Sequence, residues 1–322
     1  MVFRVCSVGG HTFGEIPKIA GEKFNEEEYV ASLQRDDVEM DELEKKDDEA
    51  FDERLVDILK GQTVSSVPDR CKSPDLYAKE EIIIEEGNDD IRSDAHNLFL
   101  ALAICNTVVP SVLNDGIVYQ SSSPDESALV LGAKRGGYVL KSRSVDECTI
   151  TIFGQEFTYE VLAVNEFTSD RRRMSVIVRM PDGSVRLYIK GAYIFVSRSP
   201  THFFYLCTGA DESIFPRANM NAPSANHAKQ AADDFAVNGL RTLIFAYRDI
   251  SDAEFDDWAE NSWNTARLAT ENRRQRLVEA AELIEKDVSV VGTTGIEDRL
   301  QDAVPETIGD LMKANIKVGG GG

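Results

Sequence analysis

Four short stretches of this chain carry residue types that suit a nucleotide: an aromatic face, carboxylates, a lone lysine and arginines. Phe167 follows a strand-like run and opens the polar segment Thr168-Ser169-Asp170-Arg171-Arg172-Arg173-Met174. An exposed ring there suits stacking on a purine, typically worth ~1–3 kcal/mol per base. The plainer reading of Phe167 is a core residue at a strand end. Arg171-Arg172-Arg173 are guanidinium forks that match phosphate oxygens, or else a hairpin loop balancing Asp170. Lys190 ends the run Leu187-Tyr188-Ile189 and precedes Gly191, where the missing side chain admits close backbone approach. Upstream, Ser123-Pro124-Asp125-Glu126 puts two acids in the first turn of a predicted helix. They either complement the helix dipole or, for Glu126, accept a hydrogen bond from a ligand amino group. Arg241, within Gly239-Leu240-Arg241-Thr242-Leu243, opens a strand and is surface material unless the others join it. No Gly-x-x-x-x-Gly-Lys-Ser/Thr loop, no Gly-x-Gly-x-x-Gly and no nucleophile triad can be found. A nucleotide held here therefore rests on stacking and side-chain charge.

The elements that must position these residues change character along the chain. Met1 to Ser7 reads as a short β segment before a Gly9-Gly10 turn. Residues 26–54 carry 14 acidic and 4 basic side chains, which reads as a solvated helix or partly disordered insert, or as an acidic surface for a partner. Its end, with Phe51, Leu55, Ile58 and Leu59, can lay one apolar face on a core. Gly61 to Asp75 reads as a loop. Arg92 to Pro110 is a predicted helix, capped by Ser93 or Asp94, apolar almost all round and hence buried, and ended by Pro110. A second helix is predicted over Pro124 to Arg135, with Pro124 at its first position. Then short β-branched and aromatic runs follow: Tyr138-Val139-Leu140, Thr149 to Phe153, Phe157 to Ala163, Ser175 to Met180 and Val185 to Ile189. Turns as short as Gly154-Gln155 and Pro181-Asp182-Gly183 make neighbours antiparallel. A helix from Asn226 to Val237 stops at Asn238-Gly239, and Arg241 to Tyr247 is a strand. Asp252 to Asp287 reads as two charged helices, Val288 to Gly292 as a strand and Val304 to Ala314 as a helix. After an incipient strand at Ile316-Lys317-Val318, Gly319 to Gly322 read as a linker or an artificial end.

Composition bounds the function. The 322 residues suffice for one large or two ordinary domains, and 42% hydrophobic content supports a real core. A net charge of −21 argues against nucleic acid or anionic membrane as a partner of the bulk surface. The cysteines (Cys6, Cys71, Cys105, Cys148 and Cys207) are scattered, with no Cys-x-x-Cys pair, which argues against a disulfide framework or structural zinc and fits a reducing compartment. The N-terminus lacks a secretory pattern, and the longest apolar run, Leu98 to Ile104, is far short of a span.

The ordered set Ser123-Pro124-Asp125-Glu126, Glu166 to Ile177, Lys190-Gly191-Ala192 and Gly239 to Leu243 resembles the cytoplasmic nucleotide-binding domain of P-type ATPases. Cys6-Ser7-Val8-Gly9-Gly10 with Phe13-Gly14-Glu15, Leu102 to Pro110, and Ile296 to Thr307 resemble the phospholipid-transporting branch, the lipid flippases. The resemblance runs from residue 1 to about 318. It implies an α+β fold (α/β in the broad sense): an antiparallel sheet flanked by helices, with fragments of a Rossmann-like phosphorylation domain at both ends. The implied layout is a phosphorylation-domain exit over 1–20, an acidic, partly flexible helical segment over 21–90, the nucleotide-binding core over 91–287, a truncated phosphorylation-domain segment over 288–318 and glycines 319–322. Glu126, Phe167, Lys190 and Arg241 match the family's ATP-binding positions, and Asp125, Arg172, Met174 and Gly191 match further possible ones.

The same resemblance implies ATP as ligand, with magnesium bound mostly by parts outside this chain. It implies phosphorylation and actuator domains and a regulatory membrane subunit as partners in the parent, no nucleic acid, and a place on the cytoplasmic face of a membrane, the fragment itself being soluble. In the family an aspartate of an Asp-Lys-Thr-Gly-Thr motif receives the γ-phosphate as an aspartyl-phosphate. Neither that motif nor Thr-Gly-Asp occurs in these residues, so no turnover is expected from the chain alone. Two departures stand inside the matched stretches: Tyr193, where the family has Asp, is expected to alter the pocket floor, and Asn106, where His is common, is expected to be neutral.

Overall fold

The structure, a computed structural model, describes residues 1–16, 51–61, 89–113, 116–193, 213–220, 222–298, 304–314 and 316. Most of the acidic stretch 26–54, the loop beyond Gly61 and the closing glycines lie outside the described residues. In chain order the described elements are β1 (Val2–Val8), β2 (His11–Gly14), α1 (Glu53–Lys60), α2 (Asp89–Ile104), β3 (Val109–Leu113), β4 (Gly116–Gln120), α3 (Pro124–Arg135) and β5 (Tyr138–Arg143). Then follow β6 (Glu147–Ile152), β7 (Gln155–Asn165), β8 (Arg173–Arg179), β9 (Val185–Tyr193), α4 (Pro223–Val237), β10 (Arg241–Ile250) and α5 (Asp252–Trp258). A π turn leads into α6 (Asn264–Leu268), and α7 (Arg273–Ile284), β11 (Ser289–Glu297) and α8 (Val304–Lys313) complete the order.

Nine strands form one antiparallel sheet in the order β2-β1-β11-β10-β9-β8-β7-β6-β5, and β3 and β4 make a separate hairpin. Helices cover both faces, and the period of two decides which residue serves which. On β8, Val176 and Val178 face the layer of α1, α2 and α3, while Ile177 faces α4, α5 and α7. On β9, Tyr188 joins the first layer and Leu187 and Ile189 the second. α2 is buried as its all-round apolar sequence requires, with Leu98 through Ile104 at most 1% exposed. α1 lays Leu55, Ile58 and Leu59 on the core, with Asp52 capping its start and Gly61 its end.

α3 has the bounds expected of it, because Pro124 fits the first turn and the Gly136-Gly137 pair ends the helix. α2 does not. Its start lies at Asp89, so Ser93 and Asp94 sit inside the helix and do not cap it. It stops at Ile104, well before Pro110, because side chains satisfy its last carbonyls. Asn106 Nδ2 donates to the carbonyls of Leu102 and Ala103, both at 2.9 Å, and Asn106 Oδ1 accepts the Val108 N–H at 3.0 Å. Arg143, at the end of β5, donates to the carbonyls of Asn106 at 2.6 Å, Ile104 at 2.9 Å and Ala103 at 3.2 Å. Pro110 instead falls in β3, opposite Tyr119.

The sheet also crosses two boundaries expected from the sequence. β11, from the expected terminal segment, is hydrogen-bonded beside β10, and β1, from the expected exit segment, beside β11. Val2 lies opposite Glu297, and Arg4 Nε pairs with Glu297 Oε2 at 2.7 Å.

Candidate functional site

The first turn of α3 holds the centre of the site. Neighbouring residues on a helix point about 100° apart, so Asp125 and Glu126 reach different partners. Glu126 Oε1 accepts from Lys190 Nζ at 2.7 Å, and its Oε2 accepts the Thr107 N–H at 2.9 Å and the Thr107 hydroxyl at 2.6 Å. Both side chains of the ion pair are nearly buried. Burial pushes the Glu126 carboxyl up, but the Lys190 ammonium and the hydrogen bonds from Lys190 and Thr107 outweigh it and hold it below the usual range. A buried pair persists only when its remaining lone pairs are filled, which is what Thr107 does.

Asp125 turns the other way. Its Oδ2 accepts from Arg241 Nη1 at 3.1 Å, and Arg241 Nη2 donates to Asp298 Oδ2 at 2.6 Å. Asp125 Oδ1 is buried with no partner among the described residues. Arg241 is half exposed, so this triad faces solvent. Partial burial lowers the Arg241 pKa, and the charges of Asp125 and Asp298 more than reverse that.

Lys190 stands on β9 directly opposite Met174 on β8, so both side chains share one face. The Cys105 thiol at the end of α2 donates to the backbone carbonyls of Met174 and Tyr188, which ties the helix end to the same two strands. Burial pushes that thiol up to about 12, so it is no nucleophile.

Phe167 lies on the loop between β7 and β8 and is 54% exposed, so it is not a core ring. The loop folds back on itself: the Arg172 N–H donates to the Thr168 carbonyl at 2.7 Å, and the Ala192 N–H donates to the Arg172 carbonyl at 3.1 Å. Those bonds seat the Phe167 loop at the Lys190 end of β9. Arg172 takes a left-handed backbone, φ 51°, unusual for a non-glycine.

The arginine triplet divides. Arg171 Nη2 and Arg173 Nε both donate to the fully buried Glu285 of the turn after α7, the latter at 2.6 Å, and Ser175 Oγ donates to it at 2.6 Å. Arg171 Nη1 also holds the Glu166 carbonyl at 2.9 Å. Two of the three arginines are therefore scaffold, not phosphate ligands. Arg172 is left with its Nη1 buried and unpartnered among the described residues.

Three expectations change. A Cβ on Gly191 would sit 2.6 Å from Ser213 Oγ and 2.7 Å from Ile214 Cγ1, so this glycine admits the 213–214 segment against β9. Tyr193 lies three residues from Lys190 on one strand, hence on the opposite face. Its hydroxyl donates to Asp233 of α4 and its ring meets Phe215 edge-on, away from the face that Lys190 shares with Met174. Asn106, expected to be neutral, caps α2 and shapes the turn that delivers Thr107.

The structure thus joins Glu126, Lys190 and Met174 in one cluster and Asp125 and Arg241 in a second on the same helix turn, with the Phe167 and Arg172 loop tied to β9. Thr107, Asp298 and Glu285 are additions that the sequence did not single out. Among the described residues no three His, Cys, Asp or Glu side chains converge as metal ligands. A cavity of about 470 Å³ at the far end of α2, lined by residues such as Arg92, His96, Tyr138 and Phe153, contains none of the site residues.

Comparison with known proteins follows the same lines. The family described as P-type ATPase, cytoplasmic domain N, matches residues 94–303. Phospholipid-transporting ATPase IC of Xenopus tropicalis is 39% identical over 245 residues, 76% of this chain and 18% of that protein. The protein of the same name from Homo sapiens is 39% identical over 236 residues, 73% of this chain and 17% of its own length. Phospholipid-transporting ATPase ID of Mus musculus is 33% identical over 319 residues, 99% of this chain and 22% of that protein. The chain thus spans about a fifth of the length of these curated relatives.

Proposed function

Because this chain belongs to the P-type ATPases and carries their cytoplasmic domain N, we propose that it is the ATP-binding domain of a phospholipid-transporting member. Adenine stacks on Phe167, with Glu126 and Lys190 at the inner wall and Met174 beneath them. Arg241 and Arg172 meet the phosphates. The domain presents the γ-phosphate to an aspartate outside this chain, and so powers lipid movement across a membrane. In the parent it works against phosphorylation and actuator domains, with a regulatory membrane subunit.

The observation that carries the reading is the first turn of α3. Two adjacent carboxylates each hold a different cation, Lys190 at 2.7 Å and Arg241 at 3.1 Å. Nearby stand an exposed ring and an arginine with an unfilled donor. A stacking platform, hydrogen-bond acceptors and three cations suit adenine and phosphate, and no side chain here suits a covalent step. Magnesium neutralises phosphate charge when it arrives with the nucleotide; the described residues offer no cluster to hold it.

Without the rest of the phosphate clamp the affinity is weak, on the order of mM or about −4 kcal/mol. Titration of ATP against amide chemical shifts is the test. Shifts should gather on Glu126, Phe167, Lys190 and Arg241. Phe167→Ala should weaken binding by roughly tenfold or more without unfolding the chain, since the ring is half exposed. Shifts scattered elsewhere, or unchanged affinity in Phe167→Ala, refute the assignment. A pull-down that needs residues 26–54 and not ATP favours the acidic docking module instead.

A further inference from the structure

We infer that Thr107 is a positioning residue of the nucleotide site: it fixes the Glu126 carboxylate as an anion in one orientation and thereby sets where Lys190 points. The inference rests on the nucleotide-binding reading given above. Of the groups that touch Glu126, two come from Thr107 and one from Lys190. Thr107 fills Oε2 with a backbone N–H and a hydroxyl, so Oε1 is left to face Lys190. A carboxylate held at both ends of one oxygen cannot spin about its last bond. The orientation is therefore built in before any ligand arrives.

The support for Thr107 reaches further back. It sits on the turn after α2, and that turn is shaped by Asn106, whose Oδ1 accepts the Val108 N–H at 3.0 Å. Arg143 clamps the Asn106 carbonyl at 2.6 Å, directly before Thr107. Cys105 ties the residue before Asn106 to β8 and β9. Thr107 itself is exposed on its outer side, so its hydroxyl is not a core requirement. The turn after α2 and the first turn of α3 thus meet through the two hydrogen bonds that Thr107 donates to Glu126.

Thr107→Val keeps shape and backbone N–H and removes only the hydroxyl. Thr107→Ser keeps the hydroxyl. Two readouts apply to this chain as it stands. The first needs no ATP: the ¹³C shift of the Glu126 carboxyl is followed through acid pH. Glu126 ionises below an ordinary glutamate. Thr107→Val should move that midpoint up, and Thr107→Ser should restore it. The second is ATP affinity, expected to fall roughly fivefold to tenfold in Thr107→Val, to recover in Thr107→Ser, and to be insensitive to Thr107→Val in a Glu126→Gln background. An unmoved carboxyl midpoint in Thr107→Val overturns the inference, as does an undiminished affinity loss in the Glu126→Gln background. A merely structural threonine would lower the melting temperature and leave the midpoint alone. If Phe167→Ala also leaves ATP affinity unchanged, the nucleotide reading fails; if Phe167→Ala weakens ATP and Thr107→Val does not, the role of Thr107 alone fails.

Discussion

Glu285→Gln tests whether the site stands on a buried charge network. Glu285 is completely buried, and its side chain faces Arg171 and Arg173, which are 5% and 3% exposed. Ser175 donates to the same carboxylate at 2.6 Å, and Asn165 Nδ2 in turn donates to Ser175 Oγ at 2.9 Å. Removing the anion leaves two guanidinium groups without their shared counter-charge. Breaking a buried pair in this way costs roughly 3–5 kcal/mol. Glutamine keeps one acceptor oxygen, and Arg173 keeps Glu282, a half-exposed partner, so the lower end, about 3 kcal/mol, is expected. With a urea slope of about 2–3 kcal/mol/M for a domain of this size, the unfolding midpoint should fall by roughly 1–1.5 M. Because Arg171 also holds the Glu166 carbonyl at 2.9 Å, the amides of the Phe167 loop should exchange faster as well. A midpoint shift under about 0.3 M, less than about 1 kcal/mol, refutes the reasoning, for it means the two arginines find water or another partner. The variant Arg171→Leu/Arg173→Met/Glu285→Leu supplies the control: with no stranded charge it should be less destabilised than Glu285→Gln.

Two further perturbations probe the supports of the site. Arg143→Ala removes the donors of three carbonyls at the end of α2, expected to cost about 1–3 kcal/mol in thermal or urea unfolding and to speed exchange of the Thr107 amide; unchanged exchange at Thr107 tells against the clamp. Arg143→Lys should recover only part, since an ammonium cannot span the three acceptors. Asp94, inside α2, is raised to about 6 by burial and by the nearby charge of Asp90. A carboxyl whose folded pKa is raised stabilises fully below its unfolded value, near 3.8, and loses that stability as pH rises through about 6. Asp94→Asn should therefore gain on the order of 1–2 kcal/mol over the parent chain at pH 8, after discounting for partial exposure, and nothing at pH 3.5. Equal melting differences at the two pH values would contradict the shift.

What the sequence disclosed followed from local rules. Pro124 with two acids behind it marks a helix start, and the bounds of α3 are as expected. Alternating β-branched and aromatic runs separated by Gly and Asp turns mark a meander, and β5 through β9 follow one another across the sheet. What it withheld depends on partners distant in the chain. The end of α2 is set by Arg143, and nothing local in Cys105-Asn106-Thr107 announces that partner. Thr107 meets Glu126 across 19 residues, through a turn whose geometry comes from Asn106. The division of the arginine triplet was not legible: Arg171 lies in the turn before β8 and Arg172 takes a left-handed backbone, so no alternation along the chain sorts them. Only Glu285, more than a hundred residues later, reveals which of them turn inward. Tyr193 was misjudged for want of an odd–even count from Lys190.

Val2 lies across the ladder from Glu297, at a spacing of roughly 5 Å for paired strands. Everything between those two positions is thus a loop of chain closed at its neck. Arg4 and Glu297 stitch the neck shut. Asp298 stands one residue beyond that neck and already grips Arg241. If Arg241 meets phosphate as proposed, Asp298 beside that neck gives up its partner.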